Sequence, residues 1–369
     1  DYNSLRLKHH GDPLMMERIL QQECREKCAK KLSLTLSNPD FRFPSTALAE
    51  MCTSDEVAEI HASMVPARSS ILDMTAGLGI DVIHFANHGN TLTAIEMDRH
   101  SAQVLRDNIS LLNLTDRVDV ICADSISWLD DNNRHYDVIF IDPARRDASG
   151  RHFSFSQCVP DITSCIQLLR SRCEKLIIKA SPMVDIDAAL TELGNPQADI
   201  AIIGTDKECK EVVFEIRETA SGAIRCITVG HNEYVTDPHS TPAVTTAVPS
   251  PGQWLGQPYP SIMKAGGKID GFSKLHPNTH LYLSDNFSTD FPGQQFRIKE
   301  VIPFSNKEIR RIAKDYPTIN VAVRNFPLSA PQLVSRLKVK EGGDLKLFGT
   351  TLHDGVKVLI ITEMKAPID

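Results

Sequence analysis

The residues best able to do chemistry are carboxylates placed at the ends of short apolar runs. Asp73-Met-Thr-Ala-Gly77-Leu-Gly79-Ile-Asp81 follows Ile71-Leu72 and leads into a helical stretch. Glu96 closes the next run, 23 residues after Asp73. Asp124 follows the third run, and Asp142-Pro143-Ala144-Arg145 follows the fourth. Two glycines let a turn bring its backbone against a nucleotide-like ligand. A carboxylate at Glu96 can accept both ribose hydroxyls, and Asp124 is placed to accept from an adenine amino group. Open α/β sheets bind ligands beyond the carboxyl ends of their strands, where all four features fall.

The ligand's charge separates two adenosine cofactors. The NAD fingerprint needs a third glycine where Val82 stands, and Asp81 would oppose a pyrophosphate. S-adenosylmethionine carries no phosphate, and its sulfonium and ammonium suit a turn bearing Asp73 and Asp81. Asp73, Thr75, Gly77, Gly79, Asp81, Glu96 and Asp124 are therefore assigned to this methyl donor.

The acceptor side rests on Asp142, Pro143 and Arg145, the candidate catalytic residues. Enzymes that methylate exocyclic base nitrogens commonly carry Asp/Asn-Pro-Pro followed by an aromatic. This loop keeps the carboxylate and the first proline but has Ala144 and Arg145 thereafter. A guanidinium at Arg145 can stack on a base or grip a phosphate. Arg146 can do the same, or either arginine can pair with Asp147 or a surface carboxylate. Phe153 and Phe155 either supply a stacking face or belong to the core. Lys179 is read as a rim residue or a snorkelling surface lysine. Lys207, Cys209 and Lys210 fall in the connection between two final runs, with Cys209 considered as a nucleophile.

The elements that position these residues follow from apolar periodicity. Residues 1–68 read as helical. Leu14, Met15, Ile19 and Leu20 form one apolar face, and Ser45–Val65 forms another, capped by Thr53 or Ser54. From Ser70 come short runs at 71–74, 92–95, 118–121, 138–141 and 176–178, too apolar for exposed strands and too short for helices. Helices are expected at 80–87, 99–112, 158–171 and 185–193. Ile200–Ile203 and Val212–Ile216 should pair antiparallel. Six prolines within residues 237–260 mark a linker or irregular loop. Beyond it, strands are expected at 280–285, 319–323 and 356–362, and helices at 305–315 and 332–337.

Residues 70–216 resemble the class I S-adenosylmethionine-dependent methyltransferases, with their D-x-x-x-G-x-G turn, acidic residue closing strand two and Asp after strand three. The resemblance implies a Rossmann-like α/β fold with a seven-stranded sheet, the last strand antiparallel. It places Asp73, Gly77 and Gly79 around the methionine moiety, Glu96 on the ribose and Asp124 on the adenine, with Asp81 contributing secondarily. Met263-Lys-Ala-Gly266, Lys274–Asp285 and Phe291-Pro-Gly293 extend it to a bacterial group ending in a ferredoxin-like piece and a small α+β THUMP-like domain. The expected division is an N-terminal helical region at 1–68, the methyltransferase domain at 69–220, a linker and ferredoxin-like segment at 221–290, and the THUMP-like domain at 291–369.

Composition adds the partner. Net charge is −7, unlike a protein that coats nucleic acid wholesale. From Arg297 onward there are 13 Lys and Arg against 8 Asp and Glu, whereas the preceding residues carry 27 against 39. Lys307, Arg310, Arg311 and Lys314 fall on neighbouring turns of one helix and, with Lys338, Lys340 and Lys346, could follow phosphates. The expected function is methylation of a base in structured RNA, tRNA or rRNA. The alternatives are a small-molecule or protein methyltransferase, or a non-catalytic protein that binds the donor. No DNA partner and no membrane span are expected. The nine cysteines read as reduced thiols of a cytoplasmic protein; Cys24 and Cys28 lack the further ligands of a metal site, and none is expected. The chain opens on Asp1 and not on Met, so its start reads as trimmed, and no secretory signal is evident.

Overall fold

The computed structural model describes residues 1–145, 154–237, 240–266 and 268–363, and for Arg145 the backbone only. It forms two compact units, Asp1–Ile203 with Lys210–Gly222, and Gly204–Cys209 with Ala223–Asp369.

The first unit is built on β1 (Ser70–Asp73), β2 (Thr91–Glu96), β3 (Val118–Cys122), β4 (Tyr136–Ile141), β5 (Cys173–Ala180), β6 (Ala198–Gly204) and β7 (Cys209–Ile216). These seven strands lie in the order β3-β2-β1-β4-β5-β7-β6. β1 to β5 pair in parallel, and β7 runs antiparallel to β5 with Ile178 opposite Phe214. The central strands are buried along nearly their whole length, as a sheet covered on both faces requires.

Before the sheet come α1 (Tyr2–Lys8), α2 (Pro13–Cys28), α3 (Thr46–Met51) and α4 (Asp55–Ser63). The apolar pattern over 45–65 predicts one helical face, but the segment forms two helices. Ser45 caps the first and Ser54 the second, whose hydroxyl accepts from the Val57 N–H. The buried face of α2 is Ile19, Glu23, Cys24 and Cys28, while Leu14 is exposed. Burial pushes the Cys24 thiol up to about 11, and the Cys28 Sγ donates to the Ala49 carbonyl.

The crossover helices are α5 (Ile80–Asn87), α6 (Arg99–Leu111), α7 (Ser125–Asp131), α8 (Ile162–Ser171) and α9 (Ile186–Glu192). Asp98, Asp124, Asp161 and Asp185 cap α6 to α9, each accepting from backbone N–H groups of the first turn. The Asp161 cap corrects the expected helix start at Cys158. Cys158 and Val159 instead pair with Arg145 and Ala144 in a short antiparallel ladder.

The second unit contains the pair β8 (Ile224–Thr228) and β9 (Tyr234–Thr236), and a sheet of β10 (Trp254–Pro258), β11 (Ser273–Lys274), β12 (Tyr282–Ser284), β13 (Gly293–Pro303), β14 (Asn320–Arg324), β15 (Leu345–Thr351) and β16 (Lys357–Glu363). Its order is β11-β12-β10-β13-β16-β15-β14, with only β14 and β15 parallel. Helices α10 (Pro260–Ala265), α11 (Asn306–Asp315) and α12 (Ala330–Leu337) complete the unit. Ile309, Ile312, Leu333 and Leu337 bring α11 and α12 onto Leu347, Leu359 and Ile361 on one face. The opposite face packs Phe296, Ile298, Phe348 and Ile360 against Leu275, Leu281 and Leu283. The proline-rich stretch is held in place, for the Thr245 N–H donates to the Lys274 carbonyl.

Candidate functional site

The carboxyl ends of β1 to β4 open into a cleft of about 390 Å3. It is lined by the turn from Met74 to Asp81, by Glu96 and Met97, by Ala123 to Ser125, and by Asp142, Pro143 and Ala144. The N-terminal segment supplies another wall through Leu48, Met51, Cys52 and Thr53. Thus Thr75, Gly77, Gly79, Asp81, Glu96, Asp124, Asp142 and Pro143 come together as the sequence suggested, and Asp73 lies beneath them rather than on the wall.

The turn is rigidly made. Met74 N–H donates to the Phe140 carbonyl and Ala76 N–H to the Ile95 carbonyl, tying it to both neighbouring strands. Gly77 has φ +54° and Gly79 φ +84°, and a Cβ on Gly79 would stand 2.2 Å from the Leu105 Cδ1. Glu96 is oriented by two backbone donors, Gly77 N–H at 3.0 Å and Asp98 N–H at 2.8 Å, one to each oxygen. Each oxygen keeps a second lone pair. Asp124 accepts from the Ser127 N–H and stays exposed at the cleft edge. Met97 adds an exposed apolar surface beside Glu96.

Asp73 is 2% exposed and its Oδ1 accepts from the Thr75 N–H. Burial, reinforced by the neighbouring Asp81 and Asp142, pushes its carboxyl up to about 8 despite Thr75 and Lys179.

Behind the cleft lies a buried ionic network that sequence reading missed. Asp81 accepts from the Thr53 hydroxyl at 2.7 Å and pairs with His61 Nδ1 at 2.7 Å. The other nitrogen of His61 meets Glu211. Lys179 donates to Thr53 Oγ1 and Asp142 Oδ2, both at 2.8 Å, and stands 3.6 Å from Asp81 and Glu211. Its side chain is 5% exposed, so it is neither a rim nor a snorkelling lysine; the carboxylates of Asp142, Glu211 and Asp81 hold it protonated against burial. Burial opposes the charge on His61, but Glu211 and Asp81 outweigh it and raise the imidazole to about 9. Asp81 lies well below the usual carboxylate range, as Lys179 and His61 overcome its burial. Its oxygens are directed at the network, which makes it a support for the wall more than an open ligand.

Asp142 is half exposed, with its N–H donating to Thr75 Oγ1 at 2.8 Å. Lys179 engages Oδ2, and no described residue donates to Oδ1. Arg146, Asp147 and Phe153 lie outside the described residues, as does the Arg145 side chain. Phe155 is fully buried edge-on to Phe214, which assigns it to the core and not to a stacking face. Cys209 is only partly buried and stands apart from the cleft lining.

The proposed phosphate-following helix is also corrected in part. Lys307, Arg310 and Lys314 are exposed, but Arg311 bonds to Glu308 and Glu300 and approaches Asp315. Lys338 and Lys340 are exposed, whereas Lys346 lies on the opposite face of the sheet, over the rings of Phe296 and Phe348. Among the described residues no helix is long and apolar enough to cross a membrane, and no cluster of metal-ligating side chains occurs.

Three family models match the chain: residues 68–149 an RNA cap guanine-N2 methyltransferase, 254–292 a ferredoxin-like domain and 293–364 a THUMP domain-like model. Ribosomal RNA small subunit methyltransferase J of Francisella tularensis subsp. novicida is 24% identical over 161 residues, covering 38% of this chain and 66% of that protein. The match thus spans just under two thirds of that relative's length. An uncharacterized S-adenosylmethionine-dependent methyltransferase of Mycobacterium tuberculosis is 22% identical over 343 residues, covering 90% of this chain and 91% of that one. The crystal structure of a methyltransferase from Porphyromonas gingivalis W83 superposes with a TM-score of 0.85 at 27% identity, over 95% of this chain and 90% of that one.

Proposed function

We propose that this chain, a class I S-adenosylmethionine-dependent methyltransferase with C-terminal ferredoxin-like and THUMP-like segments, methylates the exocyclic amino group of a base in structured RNA. The observation that carries the reading is the acidic cleft at the ends of β1 to β4, where a donor-shaped turn faces the Asp142-Pro143 loop. The matched model for residues 68–149 names guanine N2, and the curated relative named for ribosomal RNA adds a second pointer to RNA.

The cleft suits the donor by charge and by close approach. Asp81, Glu96, Asp124 and Asp142 line it, and Lys179, buried behind it, is neutralised by carboxylates. Glu96 would take the ribose hydroxyls, Asp124 the adenine amino group, Met97 the adenine face, and the turn from Asp73 to Gly79 the amino-acid portion. When bound, S-adenosylmethionine supplies a methyl group on an already activated sulfonium. The protein's task is alignment and exclusion of water. Asp142 Oδ1 is positioned to accept a hydrogen from an incoming amino group, turning the nitrogen lone pair toward the methyl and holding the proton shed on transfer. Lys179 fixes the other oxygen. Pro143 is buried and holds the loop against the sheet end. Arg145, two residues further on, would stack on the base or grip a phosphate. An RNA acceptor goes with work in the cytoplasm.

Mass spectrometry of ribonucleosides from strains with and without the gene, followed by transfer of labelled methyl to the RNA of the deletion strain, tests the proposal. One N-methylated nucleoside should vanish on deletion and return in vitro. An unchanged nucleoside profile together with methyl transfer to a protein or metabolite would overturn it.

A further inference from the structure

The cleft offers an acceptor carboxylate but no ring to hold a base beside it. Among the described residues no aromatic side chain lines it, and Phe155 is buried against Phe214. A base drawn into a cleft gives up water on both faces, and other surfaces must replace that contact. Two exposed apolar surfaces reach the cleft near Asp142. The first comes from α3. A Cβ on Gly77 would stand 3.7 Å from Leu48 Cδ2, so this helix lies over the glycine turn, and Met51, three residues on, shares its face. Met51 is 70% exposed and lines the cleft. Two residues further, the Thr53 hydroxyl accepts from Lys179, which also donates to Asp142 Oδ2. One ammonium thus ties the end of α3 to the carboxylate.

The second surface is Val159-Pro160. Ala144, two residues after Asp142, pairs with Val159, and Arg145 pairs with Cys158. Side chains alternate along such a ladder. Cys158 is fully buried, while Val159 is 42% exposed and lines the cleft with Ala144 and Pro160. The dipeptide is fixed at both ends. The Cys158 thiol donates to the Ser154 carbonyl, and Asp161 caps α8. A fixed apolar face beside a carboxylate oxygen that no described residue donates to suits a flat ligand bearing an N–H. The carboxylates of Asp81, Glu96, Asp124 and Asp142 turn phosphates away, so a neutral base can enter while its backbone stays outside.

We propose that the target base packs one face on Val159 and Pro160 and the other on Met51, with its amino group on Asp142 Oδ1. The slot rests on the reading that RNA is the acceptor, and it makes the N-terminal helical region part of the acceptor site.

Hydroxyl-radical oxidation of the full chain, read by mass spectrometry at Met51, Met97 and Met183, separates donor contacts from acceptor contacts. All three methionines are exposed, and of the three Met51 and Met97 line the cleft. S-adenosylhomocysteine should protect Met97 and leave Met51 and Met183 unchanged. RNA from a strain lacking the gene, added next, should protect Met51. Methyl transfer to that RNA at saturating donor is then compared in wild type, Val159→Ser, Val159→Ile and Met51→Gln. Val159→Ser and Met51→Gln should each raise the KM for RNA about tenfold, the lower end of what a stacked base contributes, with donor affinity unchanged. Val159→Ile, which keeps the apolar face, should behave as wild type. Met51 protected by S-adenosylhomocysteine alone, or left unprotected by RNA that is methylated, would overturn this slot and leave the RNA reading standing, as would an equal KM in Val159→Ser and wild type. If no RNA binds or is methylated, that reading fails by itself. Free ribonucleosides that protect Met51 in the presence of S-adenosylhomocysteine would still support a base slot, and no protection would overturn it. Footprinting of the wild type decides even if a variant misfolds.

Discussion

Lys179 and Asp142, 37 positions apart in sequence, meet at 2.8 Å where β5 and β4 end side by side. One is buried and the other half exposed, so the lysine passes the order of the interior to a carboxylate facing the cleft. Asp142→Asn should leave donor affinity nearly unchanged and lower methyl transfer by about 100-fold or more, the usual scale for a positioned acid–base group. Equal turnover in the two proteins, measured in single-turnover assays at saturating donor, would remove Asp142 from the reaction.

Replacing Lys179 itself should act on the fold. Lys179→Met leaves Asp81, Glu211 and Asp142 facing one another with only His61 between the buried pair. A loss of about 3–5 kcal/mol is expected, as for one partner removed from a buried ion network. Urea unfolding checks this; a loss below about 1 kcal/mol, the surface-pair scale, contradicts the role of the network.

Donor binding should release a proton. The Asp73 carboxyl, raised to about 8, is largely neutral at pH 7, and a cationic ligand nearby favours its ionised form. Affinity should therefore tighten as pH rises toward 8 and level off above it. Calorimetry in two buffers of different ionisation enthalpy reads the proton directly, and Asp73→Asn should abolish the difference. The same heat in both buffers for the wild type refutes the linkage.

Without ligand, stability should fall on the alkaline side. The folded-state values of His61, about 9, and Asp73, about 8, both lie above their ordinary ones. Each contribution is full below its unfolded value and is lost as pH rises through the folded one. The thermal midpoint should decline between about pH 7 and 9, more shallowly in Asp73→Asn. A midpoint that rises over this interval would count against both assignments.

Gly79→Ala should cost stability for two separable reasons, the left-handed φ and the contact with Leu105 Cδ1. Leu105 is 1% exposed and has little room to yield, so about 1–3 kcal/mol is expected. In a Leu105→Ala background the penalty should shrink but not vanish. Identical penalties in both backgrounds would show that the backbone alone sets the requirement.

The glycine turn and the carboxylates at the strand ends were legible as one cleft wall because their signals are local. Asp73, Gly77 and Gly79 sit in one turn, and Glu96 and Asp124 close adjacent strands. The ionic network was not, because Thr53, His61, Asp81, Lys179 and Glu211 come from five places in the chain. One clue was available: Lys179 follows Leu176-Ile-Ile178, and a lysine continuing a buried strand needs partners. Strand β13 is hidden in the sequence for a different reason. Phe296 and Ile298 face one core, a register shift follows before Glu300, and Ile302 then joins the other core while Val301 takes the first. A bulge reverses the alternation on which strand recognition depends. The basic helix shows a third limit: helical spacing puts Arg311 with Lys307 and Lys314 but is silent about Glu300, which comes from β13.

Asp81 is anchored by Thr53 and His61, upstream of residue 68 where the methyltransferase family match begins. The segment that this family model covers is thus smaller than the segment that must be inherited together. A chimera joined at residue 68 would carry every residue of the glycine turn and still give Asp81 a stranger's neighbours. Exchange of this module between proteins should succeed only where the crossover falls ahead of α3.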